Sequence, residues 1–160
     1  MTGGVKLVDE DGGVIRLLRK GGVSFHRLLF HPMLHLHGGR GCMPCQPSTF
    51  FHRSVFEELG LLDTGLVYAM DYDYWLRAFL AGYRFRYIPQ IFSDYRFHPS
   101  SHSSLGWDTF LKEWNPVSDR IYRSLDWRRR RAADLWWCYL RAETSLLKRM
   151  RAAASRVRAG

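Results

Sequence analysis

The chain has 160 residues, 46% of them hydrophobic and 15% aromatic, and a formal net charge of +9. This length and apolar content suit one compact domain and exclude a disordered chain, and the longest clean apolar run, LWWCYL, is far too short to cross a bilayer. Three cysteines, Cys42, Cys45 and Cys138, cannot form a closed disulfide framework, which agrees with a reducing compartment.

The amino-terminal stretch predicts a β-hairpin over residues 5–18. VKLV and VIRLL are short strand patterns, and DEDGG between them supplies the positive φ that a tight hairpin needs. The same stretch has no basic-then-apolar signal pattern, so we expect a cytoplasmic protein. Gly and Pro punctuate the segment that follows, which is predicted to be loop except for one short helix near residues 25–30.

The middle of the chain predicts two helices and two strands. Ser54 and Glu57 fit a capping box at the start of a short helix that stops at Gly60. A second helix begins at Asp71, because apolar residues then recur at spacings of three and four until Gly82. The alternation in RFRYIP predicts a half-buried strand that ends at its proline, and IFSDYRF predicts another.

The carboxy-terminal third predicts helices and carries most of the charge. The pattern is helical beyond Ser104, is expected to break at Pro116, and ends in a long helix. That helix is predicted to bury one side, composed of Leu135, Trp136, Tyr139, Leu140, Leu146, Leu147 and Met150.

Residues 128–160 hold ten Lys or Arg against two acids, a net charge of +8, whereas the preceding residues are nearly neutral. Because aromatic residues are interspersed with the arginines, this helix is predicted either to contact an anionic membrane surface or to pack on the domain. Nucleic acid is disfavoured as a partner, since no recognition motif accompanies the charge.

Two aspartates in the stretch YAMDYDYWLR need separate explanations. Residues two apart on a helix point roughly 200° from each other, so Asp71 and Asp73 cannot act as a paired-carboxylate site. Arg77 lies four residues after Asp73, which predicts an ion pair. Asp71 is predicted to be an N-cap that accepts the amide of Asp73 or Tyr74. This role is compatible with a position facing a cleft, where an ionised carboxylate with one face open could take a proton from a hydroxyl.

Residues 46–103 resemble the carboxy-terminal half of the catalytic domain of family 2 glycosyltransferases, which are inverting, nucleotide-sugar-dependent enzymes with the GT-A fold. The motifs that carry the resemblance occur in order: QPSTFF, a Gly-Leu-Leu-Asp turn, MDYDYWLR, AGYRF and YRFHPSSHS. VKLVDEDGGVI looks like the family's strand pair. The resemblance implies an α/β fold, with an incomplete GT-A-like (Rossmann-like) domain over residues 1–104 and a basic helical extension over residues 105–160.

The resemblance also implies roles for individual residues. Asp71 matches the acid that serves as general base, and Asp73 and Arg77 match the second acid and the arginine of the same motif. Gln46 and Ser48 are expected on the acceptor side of the cleft. His98 matches a position from which some members bind the divalent metal or the diphosphate, although a histidine beside a proline is also a common loop residue with a local hydrogen bond.

A nucleotide-binding loop and an Asp-x-Asp metal motif cannot be found before Val5. Asp9-Glu10-Asp11 matches the metal motif in letters, but it lies in a predicted turn where solvation is its expected role. We therefore expect the chain to be the acceptor-side portion of a transferase. Its divalent metal, Mg or Mn, would be held mostly by residues that are absent here.

A cluster of possible zinc ligands lies ahead of QPSTFF: His31, His35, His37, Cys42 and Cys45. A single Cys-x-x-Cys lacks its partner pair, so an insertion in an acceptor loop is the alternative.

The sequence as a whole predicts transfer of a sugar from a nucleotide-sugar donor to a hydroxyl of a glycan or lipid-linked acceptor of the cell envelope. The expected location is the cytoplasm, at the inner face of the cell membrane if the basic helix binds lipid. The alternatives are a non-catalytic module that binds a membrane surface or a partner, and a His/Cys metal-binding protein.

Overall fold

A computed structural model describes residues 1–19, 23–36, 43–101 and 107–159. Its strands are β1 (Thr2–Val8), β2 (Val14–Leu18) and β3 (Tyr87–Arg96), which form one sheet in the order β2-β1-β3. β1 pairs antiparallel with β2 and parallel with β3. The helices are α1 (Phe25–Leu29), α2 (His31–Leu36), α3 (Arg53–Leu59), α4 (Met70–Leu80), α5 (Trp107–Ser124) and α6 (Trp127–Ala159), with a single 3-10 turn at Gln46–Ser48. The fold is mixed α/β, as predicted.

The predicted β-hairpin is confirmed. One oxygen of the Asp9 carboxylate, Oδ1, accepts the amides of Asp11 and Gly13 at 3.1 and 2.6 Å. Gly12 has a φ of 89°, in the left-handed region that glycine enters without a steric penalty. These local bonds hold the acids of DED in the turn between the two strands, where the sequence predicted them.

The prediction of two strands around Pro89 is wrong, because β3 runs through this residue without a break. Pro89 lies where the register between β1 and β3 shifts, between the pairs Thr2–Tyr87 and Gly4–Ile91. In the described part of the chain β3 pairs only with β1, so it is an edge strand. A proline is tolerated at an edge or a bulge because no regular ladder bond is needed from its nitrogen.

Three features of the helices differ from the prediction: the presence of α2, the residue that caps α3 and the residue at which α3 begins. Residues 31–36 form α2 rather than loop, and its buried Leu34 packs in the core. The imidazole of His52, not the hydroxyl of Ser54, caps α3 by accepting the Ser54 amide at 3.3 Å. The helix starts two residues earlier than predicted, so Ser54 lies inside its first turn. Its predicted end at Gly60 is confirmed, with a φ of 73°.

The predicted break at Pro116 is also wrong, since α5 is continuous from Trp107 to Ser124. Its buried residues on both sides of the proline form one apolar stripe: Leu111, Trp114, Val117 and Ile121. Packing of this whole stripe against the core outweighs the single backbone hydrogen bond that a proline removes.

One hydrophobic core joins the helices from both halves of the chain. It contains Leu28 and Leu29 of α1, Tyr72, Trp75 and Leu76 of α4, the α5 stripe, and Ala133 and Leu140 of α6. The helices after residue 104 therefore share their core with residues before it, and the predicted division at that position does not separate two cores.

The long helix α6 does not bury the side that the sequence predicted. Leu140 is buried, but Leu135, Trp136, Tyr139, Leu146 and Met150 are exposed. Ala133 and Thr144 are buried in their place. The helix is held to α1 by an ion pair between Arg27 and Glu143 at 2.6 Å and by stacking of His26 on Trp136. These contacts fix its rotation, which apolar periodicity alone does not determine.

Candidate active site at the start of helix α4

The backbone that enters α4 is held from another helix. The residue before the helix is Ala69, which has no side chain able to cap it. The carboxylate of Glu113, on α5, accepts the amides of Val67, Tyr68 and Ala69 at 3.1, 2.7 and 2.9 Å. Glu113 thus satisfies amides at the entry to α4, in a position where a negative charge also complements the helix dipole.

Asp71 is not the N-cap, so this prediction is wrong. The helix begins at Met70, which places Asp71 inside its first turn rather than before it. Its Oδ1 accepts the adjacent amide of Tyr72 at 2.7 Å. Within the described ranges, no Lys or Arg nitrogen lies within 4.0 Å of the carboxylate.

Burial raises the pKa of the Asp71 carboxyl. The residue is half-buried, and loss of hydration raises the pKa of its carboxyl from 3.8 to about 6, while the amides of Tyr72 and of Asp71 itself pull the pKa in the opposite direction. At pH 7 the carboxyl is still mostly ionised, yet it is a far better proton acceptor than an ordinary aspartate. A group of this kind has a pKa suited to general base catalysis near neutral pH.

Asp73 has the opposite surroundings. Its side chain is 2% exposed, and its two oxygens accept hydrogen bonds from Arg77 at 2.8 Å and from Arg120 at 2.5 Å. The predicted pair with Arg77 is confirmed. Arg77 also donates to the carbonyls of Leu59 and Leu61, so the cluster fastens α4 to the segment that follows α3.

Sequence reasoning missed both residues that α5 contributes. Glu113 and Arg120 lie more than forty positions from their partners on and before α4. One signal was available: they are seven residues apart, two turns of a helix, and so share one face of α5. The spacing alone does not show that this face of α5 packs on the start of α4.

The hydrophobic core holds α4 in a fixed position next to Asp71 and Asp73. Trp75 is 2% exposed, and the buried hydroxyl of Tyr72 lies 3.0 Å from the carbonyl oxygens of both Leu28 and Leu29, at the end of α1. Ser118 of α5 donates to the same Leu29 carbonyl at 2.6 Å. The backbone next to Asp71 is therefore held by packing and hydrogen bonds from two other helices.

An open pocket of about 410 Å³ lies on the Asp73 side of α4. It is large enough for a small polar ligand, and two guanidinium groups contribute to its wall. Asp71 does not line it. The lining residues are Leu61, Asp63, Asp73, Arg77, Arg120, Ile121 and Ser124.

The structure separates Gln46 from Ser48, the pair expected to face an acceptor. Gln46 is exposed. Ser48 is completely buried, donates to the carbonyl of Gly4 at 2.8 Å and shares a hydrogen bond with Ser93 at 2.6 Å. It joins the 3-10 turn to β1 and β3. Of the two, only Gln46 offers a side chain that an acceptor could contact.

No set of three His, Cys, Asp or Glu side chains that could hold a metal is found among the described residues. The ring of His98 hydrogen-bonds Ser100 at 2.9 Å, the local contact expected of a loop histidine. His31 is buried with its ring edge against Trp114, and Cys45 is half-buried. The side chains of the other predicted zinc ligands, His35, His37 and Cys42, lie outside the described residues.

The family model described as "Glycosyl transferase family group 2" matches residues 23–157, which is most of the chain and includes α4, α5 and nearly all of α6. The small sheet with its surrounding helices agrees with an incomplete GT-A-like domain. No curated protein and no solved structure matches the chain.

Proposed function

The chain belongs to glycosyl transferase family group 2, and we propose that it supplies the general base for inverting transfer of a sugar from a nucleotide-sugar donor to a hydroxyl acceptor. The observation that carries this proposal is the state of Asp71. It is half-buried, unpaired by any Lys or Arg in the described ranges, and has a pKa raised to about 6 by burial. Neither a capping role nor an ion pair accounts for a half-buried carboxylate at this position.

In the proposed step, Asp71 accepts the proton of the acceptor hydroxyl as that oxygen attacks the anomeric carbon. The new carbon–oxygen bond forms on the face opposite the leaving group, and the bond to the diphosphate breaks with its electron pair leaving on the nucleoside diphosphate. Asp71 is left neutral and returns its proton to solvent. Positioned proton transfer of this kind contributes on the order of 10²–10⁴-fold to a rate.

For acceptor binding we propose Gln46, which is exposed, and the Asp73–Arg77 pair, which borders the pocket. Because Asp71 does not line that pocket, the pair would hold a part of the acceptor away from the reacting hydroxyl. The two guanidinium groups of Arg77 and Arg120 suit an acceptor that carries hydroxyl, carboxylate or phosphate oxygens, as a glycan or a lipid-linked glycan does. Ser48 is left out of this set because it is buried.

A divalent metal, Mg or Mn, would neutralise charge on the departing diphosphate. The described residues do not form a site for it, and His98 is the one predicted ligand among them. We therefore assign no step to the metal.

The test compares Asp71→Asn with wild type, using the product of the complete reading frame that contains this chain. Release of nucleoside diphosphate and labelling of acceptor are measured across a panel of nucleotide sugars, with extracted glycans and lipid-linked glycans as acceptors. We expect turnover to fall about 10²–10⁴-fold while the donor dissociation constant is unchanged.

Asp108→Asn is the matched control, since this acid also lies in the first turn of a helix but is exposed. It should retain full turnover. Retained turnover in Asp71→Asn would remove the base assignment, and failure of wild type to bind any nucleotide sugar would remove the transfer itself.

A further inference from the structure

Helix α6 has two apolar faces, and the core covers only one of them. Ala133, Leu140 and Thr144 are buried against the domain. On another side, Leu135 is 73% exposed, Tyr139 54%, Leu146 59% and Met150 60%. A set of large apolar side chains that is exposed to solvent on one helix indicates an interaction surface.

The exposed residues form one continuous stripe. Their positions advance by four, seven and four residues, which are spacings that return to the same side of a helix. The exposed Ala132 lies one turn before Leu135, and the exposed Ala142 lies in the turn between Tyr139 and Leu146. We call these six residues, Ala132, Leu135, Tyr139, Ala142, Leu146 and Met150, the outer stripe. From Leu135 to Met150 it extends about 22 Å along the helix.

The surroundings of the outer stripe are strongly positive. Among the side chains that the structure describes, the exposed basic residues of α6 are Arg128, Arg129, Arg131, Arg141, Lys148 and Arg149. Both acids of the helix are engaged with the rest of the domain: Asp134 accepts the hydroxyl of Tyr122 at 2.6 Å, and Glu143 pairs with Arg27 at 2.6 Å. The charge that remains available to a partner is therefore almost all positive.

We propose that the outer stripe docks α6 onto the surface of a membrane that contains anionic phospholipids, a contact that is independent of the transfer chemistry. The stripe enters the boundary between headgroups and acyl chains, and the arginines and the lysine reach the lipid phosphates. Long basic side chains suit this position because their stems are apolar and their ends are charged. None of the helices in the described ranges is long and apolar enough to cross a bilayer, so the helix lies along the surface.

Charge decides between this partner and the two alternatives. A second copy seated on the same stripe would bring together two tails, each with a net charge of +8 over residues 128–160. Nucleic acid would match the charge but would leave the large apolar side chains of the stripe unused. Only an anionic lipid surface complements both the charge and the apolar stripe.

The experiment measures co-sedimentation of the protein with two kinds of vesicle, one of phosphatidylcholine alone and one with about a third phosphatidylglycerol. We expect binding to the anionic vesicles at least tenfold tighter than to the neutral ones, and weaker as salt increases. No binding to the anionic vesicles, or equal binding to both kinds, would overturn the proposal.

Two triple variants separate the apolar and the charged contributions. Leu135→Ser, Leu146→Ser and Met150→Ser together should weaken vesicle binding by at least tenfold. Arg128→Gln, Arg131→Gln and Arg149→Gln together should weaken it about a hundredfold, because each basic residue near such a surface contributes roughly a fivefold factor. All six side chains are exposed apart from their contacts within α6, so the fold should persist, and thermal unfolding checks that it does.

The matched controls change the same numbers of residues elsewhere on the surface. They are Leu61→Ser, Leu62→Ser and Val67→Ser for the apolar set, and Arg16→Gln, Arg84→Gln and Arg86→Gln for the charged set. Both should bind nearly as wild type does. Three results would overturn the proposal: controls as weak as the variants, a dimer in sedimentation analysis that the apolar triple variant abolishes, or binding to a nucleic acid duplex that displaces vesicles and ignores the apolar triple variant.

Discussion

Asp71 and Asp73 are two residues apart on α4, yet they lie in opposite electrostatic surroundings. Asp73 faces α5 and the segment after α3, where two guanidinium groups meet its carboxylate at 2.8 and 2.5 Å. Asp71 faces another side of the helix and accepts one amide of its own backbone neighbour. Burial without a counter-charge raises the pKa of Asp71 to about 6. Asp73 is buried between two cations, and its ion pairs with Arg77 and Arg120 connect α4 to α5.

The comparison shows how one residue type in one helical turn can anchor the fold on one side and stay without a basic partner on the other. The difference comes from α5, which supplies Arg120 to Asp73 and Glu113 to the amides before the helix. Glu113, and not Asp71, accepts the amides of the residues that enter the helix.

Replacement of Asp73 should have the largest effect on stability. Asp73→Asn leaves two arginines without their shared carboxylate, and breaking a buried pair typically costs 3–5 kcal/mol. Because both arginines keep some contact with solvent, we expect the free energy of unfolding to fall by about 2–3 kcal/mol. Urea unfolding at pH 7 measures this value. Asp119→Asn, which breaks an exposed pair with Arg123, is the control and should change stability by less than about 0.5 kcal/mol.

Replacement of Asp71 should act in the opposite direction. A carboxyl whose pKa is raised from 3.8 to about 6 on folding is disfavoured in its ionised form, so its contribution to stability is present below about pH 4 and is lost as the pH rises through about 6. Asp71→Asn removes this loss and should stabilise the protein by about 1–2 kcal/mol at pH 7, but hardly at all at pH 4. Paired unfolding curves at the two pH values test the sign. Destabilisation at pH 7 would show that Asp71, like Asp73, has a structural partner.

The pH dependence of turnover should separate the two carboxylates further. A general base must be ionised, so activity should fall about tenfold between pH 7 and pH 5 as Asp71 takes up a proton. The profile of kcat against pH, measured with saturating donor and acceptor, gives the pH at which turnover is half of its maximum, which is expected at about 6. A profile that stays flat down to pH 5, in protein shown to remain folded there, would contradict the assignment of Asp71 as the base.

The smallest effect on stability is expected at Glu113, which accepts the amides of the residues that enter α4. Glu113→Gln replaces a charged acceptor of three amides by a neutral one and should lower stability by about 1 kcal/mol. Hydrogen exchange at the amides of Val67, Tyr68 and Ala69 should then become roughly fivefold faster. Glu57→Gln, which breaks an exposed pair with Arg53, should leave these amides unchanged. Equal protection in both variants would mean that Glu113 does not cap the helix.

Elements with a strong local signal could be predicted from the sequence. Turn residues with a required positive φ placed the hairpin at Gly12 and the end of α3 at Gly60. The spacing of large apolar residues placed α4, and the interval of four residues placed the pair of Asp73 and Arg77. The ordered motifs indicated the family that the match over residues 23–157 shows. Each of these depends on atoms that are close together along the chain.

Tertiary contacts decided the rest. Pro116 stays within a helix because a single apolar stripe on both sides of it is buried, and Pro89 stays within a strand because β3 is at an edge. The rotation of α6, which leaves the outer stripe in solvent, is set by Arg27 and His26 of α1.

The surroundings of Asp71 and Asp73 were decided in the same way. The sequence alone determined that two acids and an arginine occupy the first turns of one helix, since periodicity and local ion pairing are properties of neighbouring residues. Only the tertiary structure determined which acid is paired and which is not, because Arg120 and Glu113 reach α4 and its entry from more than forty residues away. Hydration and counter-charge depend on what packs around a side chain, and distant parts of the chain supply that packing.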